Sequence, residues 1–250
     1  MRTFLKAVFL CTGIIALSSF TSFHGDDDSK TILFIPYKPI MHLSDADADI
    51  AKNSRVNVRQ VRVLLRNALN EQLTLRLRET FNVRQLIEIG TADEKDDLNN
   101  FFDSENFYLS KRDTGNKNPG NEVASGNPYF GIFKEKTSPD YGSSYMNVSL
   151  NKPVLFKELS SDYEAAYFVV LTQFEIKTHY NECIDIANRV FRREYLVHFS
   201  VFDADGNQTG GTAVSYDAGP DINSISKITR TVFPELVEKI CARVSAAASR

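Results

Sequence analysis

The stretch RVNVRQVRVLLRNALNEQLTLRLRETF, residues Arg55–Phe81, decides the fold of this 250-residue chain. Its apolar residues recur at spacings of three and four, which places them along one side of a helix. They are Val58, Val61, Leu65, Ala68, Leu69, Leu73 and Leu77. Because such a stripe is stable only when it is buried, the sequence predicts a long helix packed on a core.

The residues on either side of this helix predict two strands. Lys30–Ile40 contains the apolar, β-branched run TILFI, which is followed by Pro36 and Pro39. Asn82–Ile89 is a second, shorter run of strand-forming residues. A strand, a helix and a strand in this order typically make a parallel pair with a right-handed crossover.

The middle of the chain lacks such patterns. Residues 90–161 are rich in Gly, Asn and Pro over KRDTGNKNPGNEVASGNP and show no apolar period. We expect a long irregular insertion here, with a short helix at DEKDDLNN as its one regular element.

Regular patterns return in the last third. Tyr163–His179 is a long β-rich run, and Tyr195–Asn207 and Gln208–Ala218 read as two strands joined by an Asp-Gly turn. The chain closes with a helix that Pro234 kinks or restarts. The sequence therefore predicts one α/β domain over 31–250, with a mixed sheet, two long helices packed on it, and the order β-α-β, insertion, β-β-β-α.

The N-terminus has the three parts of a secretory signal. Arg2 and Lys6 precede the apolar run Ala7–Leu17, and small residues suited to cleavage follow. We expect residues 1–21 to be the signal peptide and residues 22–30 a polar linker. Cys11 lacks the preceding small residue of a lipoprotein signal, so lipidation is not expected. The mature chain is predicted to be soluble and exported, in the periplasm or associated with the outer membrane.

Composition narrows the classes of partner. The formal net charge is −3, so no global basic field favours nucleic acid. No nucleophile elbow, phosphate-binding glycine loop or framed carboxylate pair is present, and we expect neither a catalytic site nor a cofactor.

Two short segments in which acidic residues alternate with other residues are candidate metal sites. In DADGN, an EF-hand count from Asp203 fails, because Gln208 stands where glycine is needed and Val214 where a carboxylate is needed. Asp-Gly between two strands instead predicts a hairpin turn. In DADAD, an extended loop would turn Asp45, Asp47 and Asp49 to one side, where they could bind a divalent cation; a solvated loop near a helix N-terminus is the alternative.

Four arginines of the long helix follow the spacing i, i+4, i+7, i+11. Arg55, Arg59, Arg62 and Arg66 would lie on one helix face. Either this is an ordinary solvated face, or it is a stripe that recognises an acidic partner surface, lipid headgroups or a cell-wall polymer.

The remaining candidates are histidines and cysteines. His179 and Cys183 are four residues apart, but zinc needs three or four ligands, so no metal site is expected. His198 alternates with apolar residues and is expected on the surface of a strand. After loss of the signal, Cys183 and Cys241 remain; an exported protein can pair them in a disulfide, or both can be buried thiols.

Several segments together resemble a family of periplasmic α/β domains that includes the TolB N-terminal domain, CsgG and the penicillin-binding-protein activator LpoB. The similar segments are TILFIPY (Thr31–Tyr37), VRVLLRNALNEQLTLRL (Val61–Leu77), FNVRQLIEI (Phe81–Ile89), EAAYFVVLTQFEI (Glu164–Ile176) and FSVFDADGNQTGG (Phe199–Gly211). The chain departs from the pattern at Ala166 and Thr172, where the family has Asp and Gly.

This resemblance implies a non-enzymatic part of a secretion or cell-wall machine. We therefore expect an exported, non-catalytic interaction or assembly module, with envelope proteins or a second copy of itself as partners and with peripheral membrane or cell-wall contact open. The alternative is a periplasmic or secreted hydrolase with residues 90–161 as a lid over its active site. A concave pocket where that segment and Asp45–Asp49 meet a buried titratable group would favour the hydrolase.

Overall fold

The computed structural model describes residues 30–87, 90–111, 144–182 and 191–249. They form a mixed sheet with helices packed on it, so the predicted α/β fold is confirmed. Strand β1 (Thr31–Ile35) runs parallel to β3 (Asn82–Gln85), and helix α2 (Val58–Leu77) connects the two. The strand–helix–strand unit predicted around Arg55–Phe81 is therefore present.

The sheet is built around one long central strand, β6 (Tyr167–Thr178). Its first half pairs in parallel with β1, and its second half pairs in parallel with the short strand β2 (His42–Ser44). On its other side lies the antiparallel strand β7 (Arg193–Asp203), followed by β8 (Gln208–Ala218). The strand order β3-β1-β6-β7-β8 leaves β3 and β8 as the outermost strands of the sheet described.

The DADGN segment is the turn between β7 and β8, as predicted. The backbone N–H of Asp203 donates to the carbonyl of Asn207 at 2.9 Å. The Asp203 carboxylate accepts from the backbone N–H groups of Asp205 and Asn207 at 3.0 and 2.8 Å. Gly206 has a φ of 84°, a left-handed conformation that glycine adopts without strain. The carboxylate thus shapes the turn.

Helix α2 begins at Val58, three residues after the predicted start at Arg55. The preceding residues form their own helix, α1 (Asp47–Ser54), where a polar loop was expected. Arg55 adopts a left-handed φ of 56° and ends α1, and Asn57 then caps α2 in a reciprocal pair with Gln60. The expectation of one helix starting at Arg55 is therefore wrong: a left-handed residue cannot continue a right-handed helix.

One face of the sheet is covered by α2 and by the C-terminal helix α6 (Phe233–Ala248). The predicted stripe of α2 supplies this core except at its first residue, since Val58 is 41% exposed. Val61, Leu65, Leu69, Leu73 and Leu77 are all at most 1% exposed. Helix α6 is preceded by a helical turn (α5, Ile225–Lys227) and a π-helical segment (Ile228–Val232). Pro234 lies in the first turn of α6, so a regular helix restarts at the proline, as predicted.

The opposite face is covered by part of the segment that was expected to be irregular. Its described residues form α3 (Ala92–Ser104), the hairpin strands β4 (Glu105–Lys111) and β5 (Ser144–Leu150), and α4 (Val154–Tyr163). The short helix predicted at DEKDDLNN is confirmed as part of α3, whereas the expectation of irregular structure is wrong for β4, β5 and α4. Residues 112–143 lie outside the described part.

This second layer has its own apolar core. Leu98 and Phe101 of α3 and Phe156 of α4 pack on Phe168 and Phe202 of the sheet. Because this core is continuous with the central strands, the segment is an integral layer of the domain and not an appendage.

Candidate binding groove along helix α2

A groove of about 630 Å³ runs along the outer flank of α2. The opposite flank of this helix is occupied by the C-terminal helical region, since Gln72 Nε2 donates to the carbonyl of Thr229 at 2.9 Å and Arg76 Nε to Glu238 Oε2 at 2.9 Å. The groove therefore lies on the side facing away from α6, above the edge of the sheet that β3 forms.

Residues from three parts of the chain line the groove. Helix α2 contributes residues from Arg62 to Leu75, and Arg78 follows directly after it. The stretch from the end of β1 to the start of β2 contributes Pro36, Tyr37, Pro39 and His42. Gln85 at the end of β3 and Ile87 directly after that strand complete the lining. Thr74 Oγ1 donates to Gln85 Oε1 at 3.1 Å, which holds helix and strand together beneath the opening.

One end of the groove is closed by a chain of buried polar groups. The Tyr37 hydroxyl lies 3.4 Å from His42 Nδ1, and His42 Nε2 lies 3.0 Å from Asp47 Oδ1. Arg62 Nε donates to the other oxygen of Asp47 at 2.7 Å. Burial by itself would raise the pKa of Asp47, but the hydrogen bonds and charge of His42, with the hydrogen bond from Arg62, hold it below its usual value. Asp47 is therefore an ionised anchor for two cation-forming side chains.

Three aspartates were considered as a common cation site, and the structure separates them. Asp45 accepts from the backbone N–H and the hydroxyl of Thr178 at 3.1 and 2.7 Å. Asp49 pairs with the buried Arg193 at 3.0 Å, while Asp47 binds His42 and Arg62. Asp45 precedes α1, Asp47 and Asp49 lie in its first turn, and the three carboxylates bind different partners, so the cation-site interpretation of DADAD is wrong. Within the described ranges no cluster of three or more His, Cys, Asp or Glu side chains is suited to a metal ion.

The four arginines do not form one stripe. Arg55 ends α1, so only Arg59, Arg62 and Arg66 belong to α2. Arg66 is buried: its Nε donates to the carbonyl of Tyr37 at 2.8 Å and its guanidinium lies 5.5 Å from the Tyr37 ring centre. Arg59 is exposed and does not line the groove. The prediction of four guanidiniums on one exposed face is thus wrong, because Arg66 is buried by its contacts with Tyr37 and Arg55 lies in the left-handed turn before α2.

The groove combines exposed apolar side chains with one unsatisfied polar atom. Val63, Leu75 and Ile87 line it and are 50%, 57% and 38% exposed. Asn70 also lines it and is 8% exposed, yet its Oδ1 is buried with no hydrogen-bond partner among the residues described. Because buried acceptors normally have a partner, this oxygen is a place where a bound molecule or water can donate a hydrogen bond. Neither feature was predicted, although the aliphatic residues that interrupt the polar side of α2 are visible in the sequence.

A second polar cluster lies inside the layer beneath β5, on the opposite face of the sheet. His198 is 0% exposed, so its predicted surface position is wrong. The backbone N–H of Met146 donates to His198 Nδ1 at 2.9 Å, and Nε2 lies 3.2 Å from Glu175 Oε1, off the line of a good hydrogen bond. Burial opposes ionisation of Glu175, but His198 and Lys177, whose Nζ is 2.8 Å away, keep its pKa below the usual value.

Asn147 completes this layer. Its Nδ2 lies within 3.1 Å of the oxygens of Tyr108, Ser110 and Gln208. Its Oδ1 accepts from Ser200 Oγ at 2.6 Å and from the backbone N–H of Val148 at 2.8 Å. A network satisfied on both sides of the amide ties the β4–β5 hairpin to the sheet and is structural.

Among the described carboxylic acids outside the groove, Glu105 has a strongly raised pKa. Both of its carboxylate oxygens are buried without a hydrogen-bond partner in the described chain. Burial raises the pKa of Glu105 to about 8, and the positive charge of Lys38 offsets only part of that effect. Glu105 does not line the groove, and neither does any other residue of 90–111 or 144–161.

Other predictions fall wholly or partly outside the described residues. The signal peptide and the linker up to residue 29 do so, and so does Cys183. The disulfide with Cys241 and the expectation that His179 and Cys183 form no metal site therefore both stay predictions. Cys241 is buried on α6. Among the helices described, none is both long and apolar enough to cross a membrane.

Comparison with known proteins gives distant structural likeness only. No protein family matches the chain, and no curated protein does. Among solved structures, the chain is similar to the hypothetical protein CT253 from Chlamydia trachomatis, with 11% sequence identity and a TM-score of 0.40. That likeness covers 87% of this chain and 99% of the other. A similarity this distant says nothing about what the chain does.

Proposed function

We propose that this chain is an exported, non-catalytic interaction module of the cell envelope, and that the groove along α2 is its recognition surface. The N-terminal signal pattern supports export, and the resemblance to the TolB, CsgG and LpoB domains supports an assembly role. Envelope proteins are the proposed partners. The observation that carries the proposal is the groove itself, in which exposed aliphatic side chains lie beside fixed arginines and an unsatisfied amide oxygen.

The chemistry of the groove suits binding better than catalysis. At the closed end of the groove the Asp47 carboxylate is already paired with His42 and with Arg62, so it is not available to act on a bound molecule. Both nitrogens of His42 have partners within the chain, so neither is positioned to take a proton from a bound molecule. Apolar side chains with a few placed polar groups are the usual lining of a recognition site.

A hydrolase is the second candidate, and one observation favours it. Glu105 lies in the segment considered as a lid, and a pKa near 8 would suit a general acid. The segment and the acidic stretch Asp45–Asp49 would have to meet Glu105 at one pocket. Among the residues described they do not, because Glu105 lies away from the groove that Asp47 supports.

Photo-crosslinking tests the binding surface. A benzoylphenylalanine at Asn67, which is exposed inside the groove, is compared with one at Arg59, which is exposed on the same helix outside it. In cells of the native host we expect a discrete protein adduct from position 67 and none from position 59. Equal adducts from both positions, or none from either, would contradict the proposal.

Export is tested separately. In cell fractionation we expect the mature protein in the periplasmic or the outer-membrane fraction. We expect its N-terminal sequence to begin near residue 22. A chain that keeps Met1 and stays with the cytoplasmic fraction would remove the envelope part of the proposal.

A further inference from the structure

Among the residues described, strand β3 has a hydrogen-bonded neighbour on only one side of its backbone. It is the outermost strand of the sheet, and it pairs with β1. The N–H of Leu86 donates to the carbonyl of Phe34 at 3.1 Å, so by the alternation of a strand the backbone of Arg84 also faces β1. The N–H and C=O groups of Val83 and Gln85 therefore point away from the sheet. A row of such groups is a template for another strand.

The groove lies directly beside this free edge. Gln85 belongs to both features, Ile87 lines the groove two residues after β3 ends, and the outer flank of α2 forms the opposite wall. An extended chain added to β3 would thus lie between a strand edge and a helix. The groove extends along α2 from Val63 to Arg78, about 22 Å at the rise of a helix, which is the length of about seven extended residues.

The walls fit the alternating side chains of such a strand. Every second side chain would point toward α2, where the exposed Val63 and Leu75 offer apolar contact. The Oδ1 atom of Asn70, buried without a partner, lies on the same wall and lacks only a donor. An extended peptide can supply an N–H or hydroxyl donor there.

The positive charge of Arg78, at the end of the groove next to the C-terminus of α2, indicates that the bound segment carries a negative charge. Arg78 is exposed and lines the groove, and no ion pair joins it to another residue of the described chain. The arginine at the other end, Arg62, is held by Asp47. Arg78 is therefore the site where an incoming carboxylate would be bound.

We propose that the α2–β3 groove binds an extended segment of a partner protein, which adds to β3 as a further strand. The segment carries aliphatic side chains at alternate positions and a carboxylate that reaches Arg78. This inference rests on the proposed function and names the chemistry of its partner. Main-chain hydrogen bonds to Val83 and Gln85 supply affinity, and the helix wall supplies selectivity.

The test begins with a phage-displayed library of random peptides, selected on the full mature chain. We expect selected peptides to share alternating aliphatic residues and an acidic residue. Synthetic copies are then N-methylated at every second backbone nitrogen, in either of the two registers. One register should weaken binding by about tenfold or more and the other by no more than about twofold, because only alternate N–H groups of an added strand face β3.

Matched variants locate the site. Val63→Asp and Arg78→Glu should each weaken binding by about tenfold. Leu64→Asp and Arg59→Glu, which change exposed residues of the same helix outside the groove, should leave it within about twofold. Equal tolerance of both N-methyl registers would overturn strand addition, and so would selected peptides that ignore Val63→Asp.

The outcomes separate the two proposals. If position 67 cross-links a partner but N-methylation has no register-dependent effect, the groove is an interaction surface and strand addition is wrong. If sedimentation instead shows dimers of the chain that Val63→Asp dissolves, the occupant is a second copy and the inference fails.

Discussion

Replacing Glu105 by Gln should remove a pH dependence of stability that the wild-type protein carries. Both carboxylate oxygens of Glu105 are shielded from water and have no hydrogen-bond partner within the described chain. The uncharged acid is therefore favoured in the folded protein, and its pKa rises from 4.5 to about 8. Gln has nearly the same shape and never ionises, so it reproduces the protonated form at every pH.

The sign and size of the effect follow from proton linkage. Between pH 4.5 and 8 the folded protein holds a proton that the unfolded chain has released, so the free energy of unfolding falls as pH rises. Each pH unit costs about 1.4 kcal/mol, which gives an upper limit of about 5 kcal/mol. Because the residue as a whole is only partly buried, solvent screening lowers this, and we expect about 2–4 kcal/mol.

Urea unfolding measured from pH 5 to pH 9 tests this prediction. Wild type and Glu105→Gln should have similar stability near pH 5, and the variant should be the more stable above pH 8. Asp103→Asn is the control, since Asp103 is exposed two residues away and its variant should follow the wild-type curve. If wild type and Glu105→Gln remain parallel over the whole range, Glu105 is not a buried neutral acid.

Three further variants test the packing. Asn147→Leu should lower the free energy of unfolding by about 2–4 kcal/mol in urea titrations at neutral pH, because Ser200 and the other partners of the amide lose their hydrogen bonds inside the protein. Asp47→Asn should cost about 2–3 kcal/mol at pH 7 and progressively less as the pH falls and wild-type Asp47 itself becomes protonated; a constant difference down to pH 2 would contradict the lowered pKa. Gly206→Ala should cost about 1–2 kcal/mol by thermal denaturation, since φ is +84° and a Cβ would lie 2.6 Å from the Phe156 ring, whereas Ala at Gly219, without a left-handed φ, should cost less.

Local patterns were sufficient for some elements. From Val61 to Leu77 the stripe of α2 has a helical period and faces the core as that period requires, and Asp203–Asn207 contains the turn residues of a hairpin. Both depend on neighbours in the chain, so they could be predicted with their correct type. The start of the strand at Tyr167 could not be placed: Tyr163 ends α4 and Glu164 closes it with a left-handed φ of 53°.

Apart from the short helix predicted at DEKDDLNN, the second layer was missed because its pattern is short and interrupted. Helix α3 is mainly polar, and the apolar face formed by Leu98, Phe101 and Phe102 has meaning only against the sheet. Strand β4 is separated from its partner β5 by more than thirty residues of sequence. Pairing over such a distance leaves no local signal, and Gly- and Asn-rich sequence between the strands suggested irregular structure for both.

The sequence by itself determined the class of fold, the crossover unit and the hairpin, because apolar periodicity and turn residues act between near neighbours. It also identified Arg62, Arg66 and the acidic run near α1 as unusual. Only the tertiary structure decided what these residues do. Arg55 lies in a left-handed turn before α2, and Arg66 is buried against the Tyr37 carbonyl. Asp47 is bound by His42 and Arg62. A charge acquires its role from the groups packed around it, and those groups come from distant parts of the chain.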